Sequence, residues 1–348
     1  DLSMKSLLKG EDDGWARVCA AMLRRRSTGG PPLTDEELDA IVTNAHLFRA
    51  TLDMWNRDPA CRRKALVIGN NYEGEERRLP SCIKDATEMG AALRMGGSAV
   101  VVRTNQHKTA MEETIRIFSA VLKPGDVAVL YFSGHMVDCG GVPYFVPSDA
   151  PRPLTRDGMV NLRAVQARIM RQLAPVDFKI FLLDACRTPF ASSAGAAGRE
   201  EQEMEELFTA CVKKVSNFYT LWASGPTAPA HGGHSAEVMS PWTKALVPLV
   251  GASPPIELRD IAARLVDSQK TTGAVPHSDG ALGTAPFYFS DAALPANALL
   301  TGAPPSRFKT KGEALRQLLA PDGELAKLLG VSADEYRGRP AVLLFDGS

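Results

Sequence analysis

Val127-Ala-Val-Leu-Tyr-Phe132, running into Ser133-Gly134-His135, and Phe178-Lys-Ile-Phe-Leu-Leu183, running into Asp184-Ala185-Cys186-Arg187, decide the fold of this chain. Each is a short apolar run with the length and composition of a strand buried on both faces of a parallel sheet. Each stops at a reactive side chain, His135 in one case and Cys186 in the other. Open α/β sheets carry their sites at the carboxyl ends of such strands.

The same alternation extends to both sides of these runs. Ala65-Leu-Val-Ile68 and Ala99-Val-Val-Val102 read as strands, with helices over 83–95 and 111–122, the second carrying Met111, Ile115, Phe118 and Leu122 on one stripe. A helix over 162–173 separates the two decisive strands. Further strands are expected at Asn217 to Trp222 and Pro286 to Phe289, with helices near 241–250 and 256–267. Strand and helix in alternation specify an α/β fold, a mainly parallel sheet of about six core strands with helices on both faces.

Two flanking segments differ from this core. Residues 1–62 read as a helical extension: Thr34-Asp-Glu-Glu37 has capping-box spacing, and Leu38, Ile41, Val42, Ala45, Phe48, Leu52 and Trp55 follow at helical period. Residues 293–348 form a C-terminal extension, helical near 311–319 and 323–330, with Ala341 to Phe345 as a last strand. The intervening 63–292 is the main domain. Within it, Arg187 to Met204 combines small residues with a charged run and is expected to be a mobile loop.

Composition removes several classes of function. Forty basic and forty acidic residues cancel, so no global field favours nucleic acid or an anionic membrane. No apolar stretch approaches the roughly 20 residues of a membrane span, and Asp1-Leu2-Ser3-Met4 is unlike a signal peptide. Without an initiator methionine, the chain is expected to be a trimmed or processed product. The six cysteines are scattered with no CxxC pair, which argues against structural zinc or a disulfide framework and for a reducing, cytoplasmic setting. No GxGxxG or GxxxxGK phosphate loop supports a flavodoxin-like nucleotide binder. His231 and His234 have HxxH spacing but no companion ligands, and read as loop histidines.

A histidine and a cysteine at neighbouring strand ends can meet, so that imidazole takes the thiol proton or holds the thiolate as an ion pair. Either residue alone would read as structural; together they read as base and nucleophile. Leu130-Tyr-Phe-Ser-Gly-His135 and Phe181-Leu-Leu-Asp-Ala-Cys186 resemble the histidine and cysteine motifs of the caspase-like peptidases, in particular metacaspases and paracaspases. Lys64-Ala-Leu-Val-Ile-Gly-Asn70 and Leu79-Pro-Ser-Cys-Ile-Lys-Asp85 resemble that family's first strand and the start of its next helix. The resemblance covers about residues 63 to 292. It implies a caspase-like fold, a cysteine endopeptidase with His135 as base and Cys186 as nucleophile, and an oxyanion hole built partly from the Cys186 amide.

Substrate preference follows from carboxylates near the nucleophile. Asp184 precedes Cys186 by two and so shares its side of an extended strand. A buried carboxylate there calls for a cation, which a substrate arginine or lysine can supply. Asp85, Cys82 and Ser133 match the family's pocket positions. The implied substrates are proteins or peptides cut after a basic residue, arginine ahead of lysine because guanidinium fits paired carboxylates bidentately.

Two departures from the family stand out. Met136 follows His135 where the family has glycine, whose amide helps hold the oxyanion; methionine resists a positive φ, so a catalytically impaired scaffold is the rival reading. The acidic cluster that binds activating calcium in metacaspases is also missing, since Asp138 and Asp149 are the only carboxylates near Val137-Asp-Cys-Gly-Gly-Val-Pro-Tyr144. With Val146-Pro-Ser-Asp-Ala-Pro151, this favours the paracaspase branch, which implies no cofactor; calcium belongs only to a metacaspase-like reading. The resemblance leaves a monomer or a homodimer, the latter paired through the last sheet strand, placed at 286–289. Trp222 is expected either to line the cleft or to fill the core.

Overall fold

The computed structural model describes residues 54–56, 58, 60–72, 78–175, 177–186, 188–189, 199–225, 235–269 and 276–290. The flanking expectations over 1–53 and 291–348, and His231 and His234, lie outside the described residues. Trp55 is described: it is fully buried, donates its indole N–H to the Ala65 carbonyl at 2.9 Å and packs on Phe118.

A six-stranded sheet organises the molecule, in the order β10-β9-β7-β3-β1-β2. The strands are β1 (Arg63–Gly69), β2 (Ala99–Thr104), β3 (Val127–Ser133), β7 (Lys179–Asp184), β9 (Phe218–Trp222) and β10 (His277–Ala281). All pairings are parallel except β10 with β9. A second small sheet, β6-β5-β4-β8, comprises β4 (Met136–Cys139), β5 (Val142–Phe145), β6 (Val160–Asn161) and β8 (Thr188–Pro189).

Strand alternation assigns each face its helices. Ala65, Val67, Val129, Tyr131, Ile180, Leu182 and Leu221 share a core with α1 (Cys82–Met95), α5 (Pro241–Val250) and α6 (Leu258–Gln269). Toward the other face lie α2 (Lys108–Val121), α3 (Leu162–Gln172) and α4 (Arg199–Val212). There Gln166 of α3 donates to Thr220 at 3.1 Å, and Phe208 of α4 meets Phe218 edge-on. The buried central strands are nearly continuous apolar runs because both faces are covered.

Two expectations are corrected here. The edge strand is His277–Ala281, not 286–289: Phe287 and Phe289 are buried in the α5–α6 core, and Tyr288 makes only an isolated bridge to Glu257. Their alternating burial imitates a strand while the segment packs on helices. The stretch from Arg199 to Met204 is the start of α4, not a loop. Arg163 of α3 anchors that helix, its guanidinium 4.2 Å over the Phe208 ring and 3.7 Å from Glu205.

The chain leaves β1 toward β2 on one side, then returns to place β3 on the other. That reversal opens a crevice beyond the carboxyl ends of β1 and β3, where open α/β sheets bind their ligands. Gly69 closes its floor. A Cβ there would lie 2.2 Å from the Cys82 carbonyl oxygen, so only glycine lets α1 start this close to β1.

Candidate active site

The register places His135 and Cys186 opposite one another. In the main sheet Ser133 pairs with Asp184, and the Gly134 amide donates to the Asp184 carbonyl at 3.3 Å. In the small sheet Val137 pairs with Thr188 at the same offset, again in parallel. His135 and Cys186 fall between these two rungs. Cys186 is half-buried.

Met136 opens β4 opposite Phe145 and is buried. The Val146 amide donates to the His135 carbonyl at 3.0 Å, which makes the 135–146 rung the hydrogen-bonded one. Antiparallel ladders alternate, so the Met136 N–H turns away from β5 and toward the edge along which Cys186 and Thr188 run. Among the described residues the non-glycine positive φ angles belong to Tyr72 and Asn105. Met136 therefore presents its amide from ordinary extended backbone, and the strain expected of a non-glycine residue does not arise.

Below this pair the structure brings together Cys82, Asp85, Ser133 and Asp184. Asp85 lies in the first turn of α1 and is fully buried. Its Oδ2 accepts from the Ser133 hydroxyl at 3.1 Å and its Oδ1 from the Ser240 amide at 2.8 Å. Asp184 Oδ2 accepts from the hydroxyls of Ser240 and Thr243, the latter at 2.6 Å. Because Thr243 spends its proton on Asp184, the Tyr131 hydroxyl 2.6 Å away donates to Thr243.

Burial, and then the neighbouring Asp184, push the Asp85 carboxyl up to about 7; burial pushes Asp184 up to about 6. Two such acids titrate as one system. The Cys82 thiol is driven far above its ordinary value, first by burial and then by both carboxylates, so it stays protonated. A thiol so placed is no nucleophile. Trp222 is fully buried, with its indole donating to Asp279 of β10 at 2.8 Å, which assigns it to the core and not to the cleft.

Sequence reasoning missed Ser240, Thr243 and Tyr72. Ser240 caps α5, accepting from the Thr243 amide with Pro241 next in line, and that Ser-Pro start was legible as a helix N-terminus. Its second task, joining two acids from distant segments, was not. Tyr72 carried no local signal.

The family model described as caspase domain matches residues 62–280. Human mucosa-associated lymphoid tissue lymphoma translocation protein 1 is 28% identical over 123 residues, which are 35% of this chain and 15% of that protein. Metacaspase-1B of Aspergillus clavatus is 36% identical over 86 residues, 21% of each chain. The chain thus spans less than a quarter of the length of these curated relatives. A crystal structure of a Geobacter sulfurreducens protein superposes with a TM-score of 0.47 at 16% identity, covering 64% of this chain and 94% of that one.

Proposed function

This chain belongs to the caspase-domain family, and on that premise we propose that it is a cysteine endopeptidase cutting proteins after arginine, with lysine second. The observation that carries the reading is the matched register that sets His135 against Cys186 above two buried carboxylates.

His135 takes the Cys186 proton, and the thiolate attacks the substrate carbonyl. The oxyanion is held by the Cys186 and Met136 amides. Collapse breaks the C–N bond, and the amine departs with the proton from His135. Water, deprotonated by His135, then cleaves the thioester and restores the thiol. A substrate guanidinium reaching Asp85 and Asp184 supplies the positive charge that two acids in low dielectric otherwise lack.

We propose that the reaction needs no calcium, a reading supported by the local engagement of the two candidate carboxylates. Asp138 Oδ1 accepts from the Gly141 amide at 2.6 Å, and Asp149 Oδ1 accepts from the Lys108 amide at 2.7 Å, so both act as local caps. Among the described residues no three acid, histidine or cysteine side chains gather as a metal site. Among the same residues no helix is long and apolar enough to cross a membrane. If two copies pair through the last strand of the main sheet, as the family resemblance implies, that strand is β10, one of the two edges of the six-stranded sheet.

Labelling with an arginyl chloromethyl ketone tests the reading. Mass spectrometry should find the adduct on Cys186, and Cys186→Ser should take up none. Modification spread over the other cysteines, with Cys186 untouched, would defeat it.

A further inference from the structure

The strongest unassigned feature of the site is Tyr72, just beyond β1. Its backbone adopts φ 55°, a left-handed conformation that bulky residues rarely hold without cause. Its ring is buried, 4.5 Å from the His135 imidazole centroid with a 43° tilt. The hydroxyl accepts from the His135 amide at 2.8 Å and donates to the Val146 carbonyl at 2.7 Å. Those are the two groups that would bond each other if the 135–146 rung were complete. The Val146 amide and the His135 carbonyl do so at 3.0 Å. One phenol is spliced into one rung of the ladder, and the residue it displaces is the base.

The surroundings are built for this insertion. A Cβ on Gly134 would lie 2.8 Å from the Tyr72 hydroxyl and 2.6 Å from Phe132, so glycine before His135 is what admits the phenol. On the other side, Asn71 accepts from the amides of Leu79 and Ile83 and donates its own to Asn105 Oδ1 at 2.8 Å. The Asn70 amide donates to the Ser133 carbonyl at 3.0 Å. The turn that carries Tyr72 is therefore tied to the end of β3 and to the start of α1, where Cys82 and Asp85 stand.

We infer that Tyr72 is a positioning residue for His135: its hydroxyl holds the amide of the base off the Val146 carbonyl while the other half of the rung stays closed, and its ring fixes the plane of the imidazole. This rests on the reading of His135 as the base. Without the hydroxyl, two buried polar groups either lose their partner or close on each other, and each course moves the imidazole relative to Cys186. Misplacing a catalytic group costs turnover more than binding.

The test compares Tyr72→Phe with the parent and with Tyr144→Phe, which removes another buried hydroxyl of the same small sheet. Tyr72→Phe should lower kcat on an arginyl peptide about tenfold or more. Its KM should stay within about twofold, and the imidazole titration of His135, followed by NMR, should shift; Tyr144→Phe should change neither. An unchanged kcat and an unchanged titration in Tyr72→Phe overturn the positioning role while leaving the peptidase reading intact. Full turnover by His135→Ala overturns the base assignment itself, and the positioning role with it. If Tyr72→Phe does not fold, amide hydrogen exchange in the parent decides. The His135 amide should be as protected as its β3 neighbours, and fast exchange there overturns the inference.

Discussion

His135 and Cys186 stand opposite each other between two parallel rungs of equal offset, Ser133 with Asp184 on one side and Val137 with Thr188 on the other. The two rungs belong to different sheets, so the pair occupies the gap where the main sheet hands its strands to the small one. Backbone hydrogen bonds on both sides hold that juxtaposition.

With Asp85 and Asp184 proposed to hold the substrate cation, binding should depend on pH. Asp85 and Asp184 have their carboxyls raised to about 7 and about 6, chiefly by burial, so protons compete with the substrate cation below neutrality. KM for an arginyl peptide should rise about tenfold or more between pH 8 and pH 5. A KM flat over that range would remove the acids from the pocket. Stability has the opposite sign: a carboxyl raised on folding favours the native state at low pH, and that contribution is lost as pH rises through about 6 to 7. Asp85→Asn should therefore raise Tm at pH 8 more than at pH 5.

Ser240 should govern affinity for the basic side chain. Its hydroxyl donates to Asp184 and also caps α5, while its amide serves Asp85. Ser240→Ala leaves the amide but removes the hydroxyl. KM for arginyl peptides should rise severalfold with kcat little changed, alongside about 1 kcal/mol of lost cap stability. Ser240→Thr should restore both. An unaltered KM in the alanine variant would confine Ser240 to capping.

Met136→Gly should not accelerate the enzyme. Extended backbone already turns the Met136 amide away from β5, and the side chain is buried. Removing it should cost about 2 to 5 kcal/mol of stability by emptying core volume, with kcat equal or lower. A gain of tenfold or more in kcat would show that methionine disables the oxyanion hole and would restore the scaffold reading.

Activity should be indifferent to calcium. Asp138 and Asp149 are engaged as turn and helix caps. Rates measured with a calcium chelator and with millimolar calcium should agree within about twofold, since a hard cation needs six to eight oxygens that the local residues do not offer. Abolition by the chelator would contradict this.

What the sequence revealed depended on how each element is buried. Strands covered on both faces must be apolar throughout, so Val127 to Phe132 and Phe178 to Leu183 announced both the sheet and the ends that carry His135 and Cys186. The edge strand escaped because an edge has no such requirement: His277-Ser-Asp-Gly-Ala281 is mostly polar, and Gly280 takes φ 106° within it. Phe287 and Phe289 misled for the converse reason, being buried by helices at a strand-like period. The charged opening of α4 read as a loop because the contacts that fix the helix come later in it, where Glu205 and Phe208 meet Arg163 of another helix. Asp85 and Asp184 could be picked out by spacing and family resemblance. Ser240 joins the two acids, and Tyr72 meets His135, through contacts between segments far apart in the chain, which leave no trace in local pattern.

Hydrolysis of fluorogenic peptides ending in Arg, Lys or Asp, by the parent, Cys186→Ala and His135→Ala at pH 8, tests the central claim most directly. The account predicts turnover after Arg, slower turnover after Lys, none after Asp, and loss of at least about a thousandfold in each variant. Cleavage after Asp, or turnover that survives in Cys186→Ala, would contradict it, and so would a parent that cleaves none of the three.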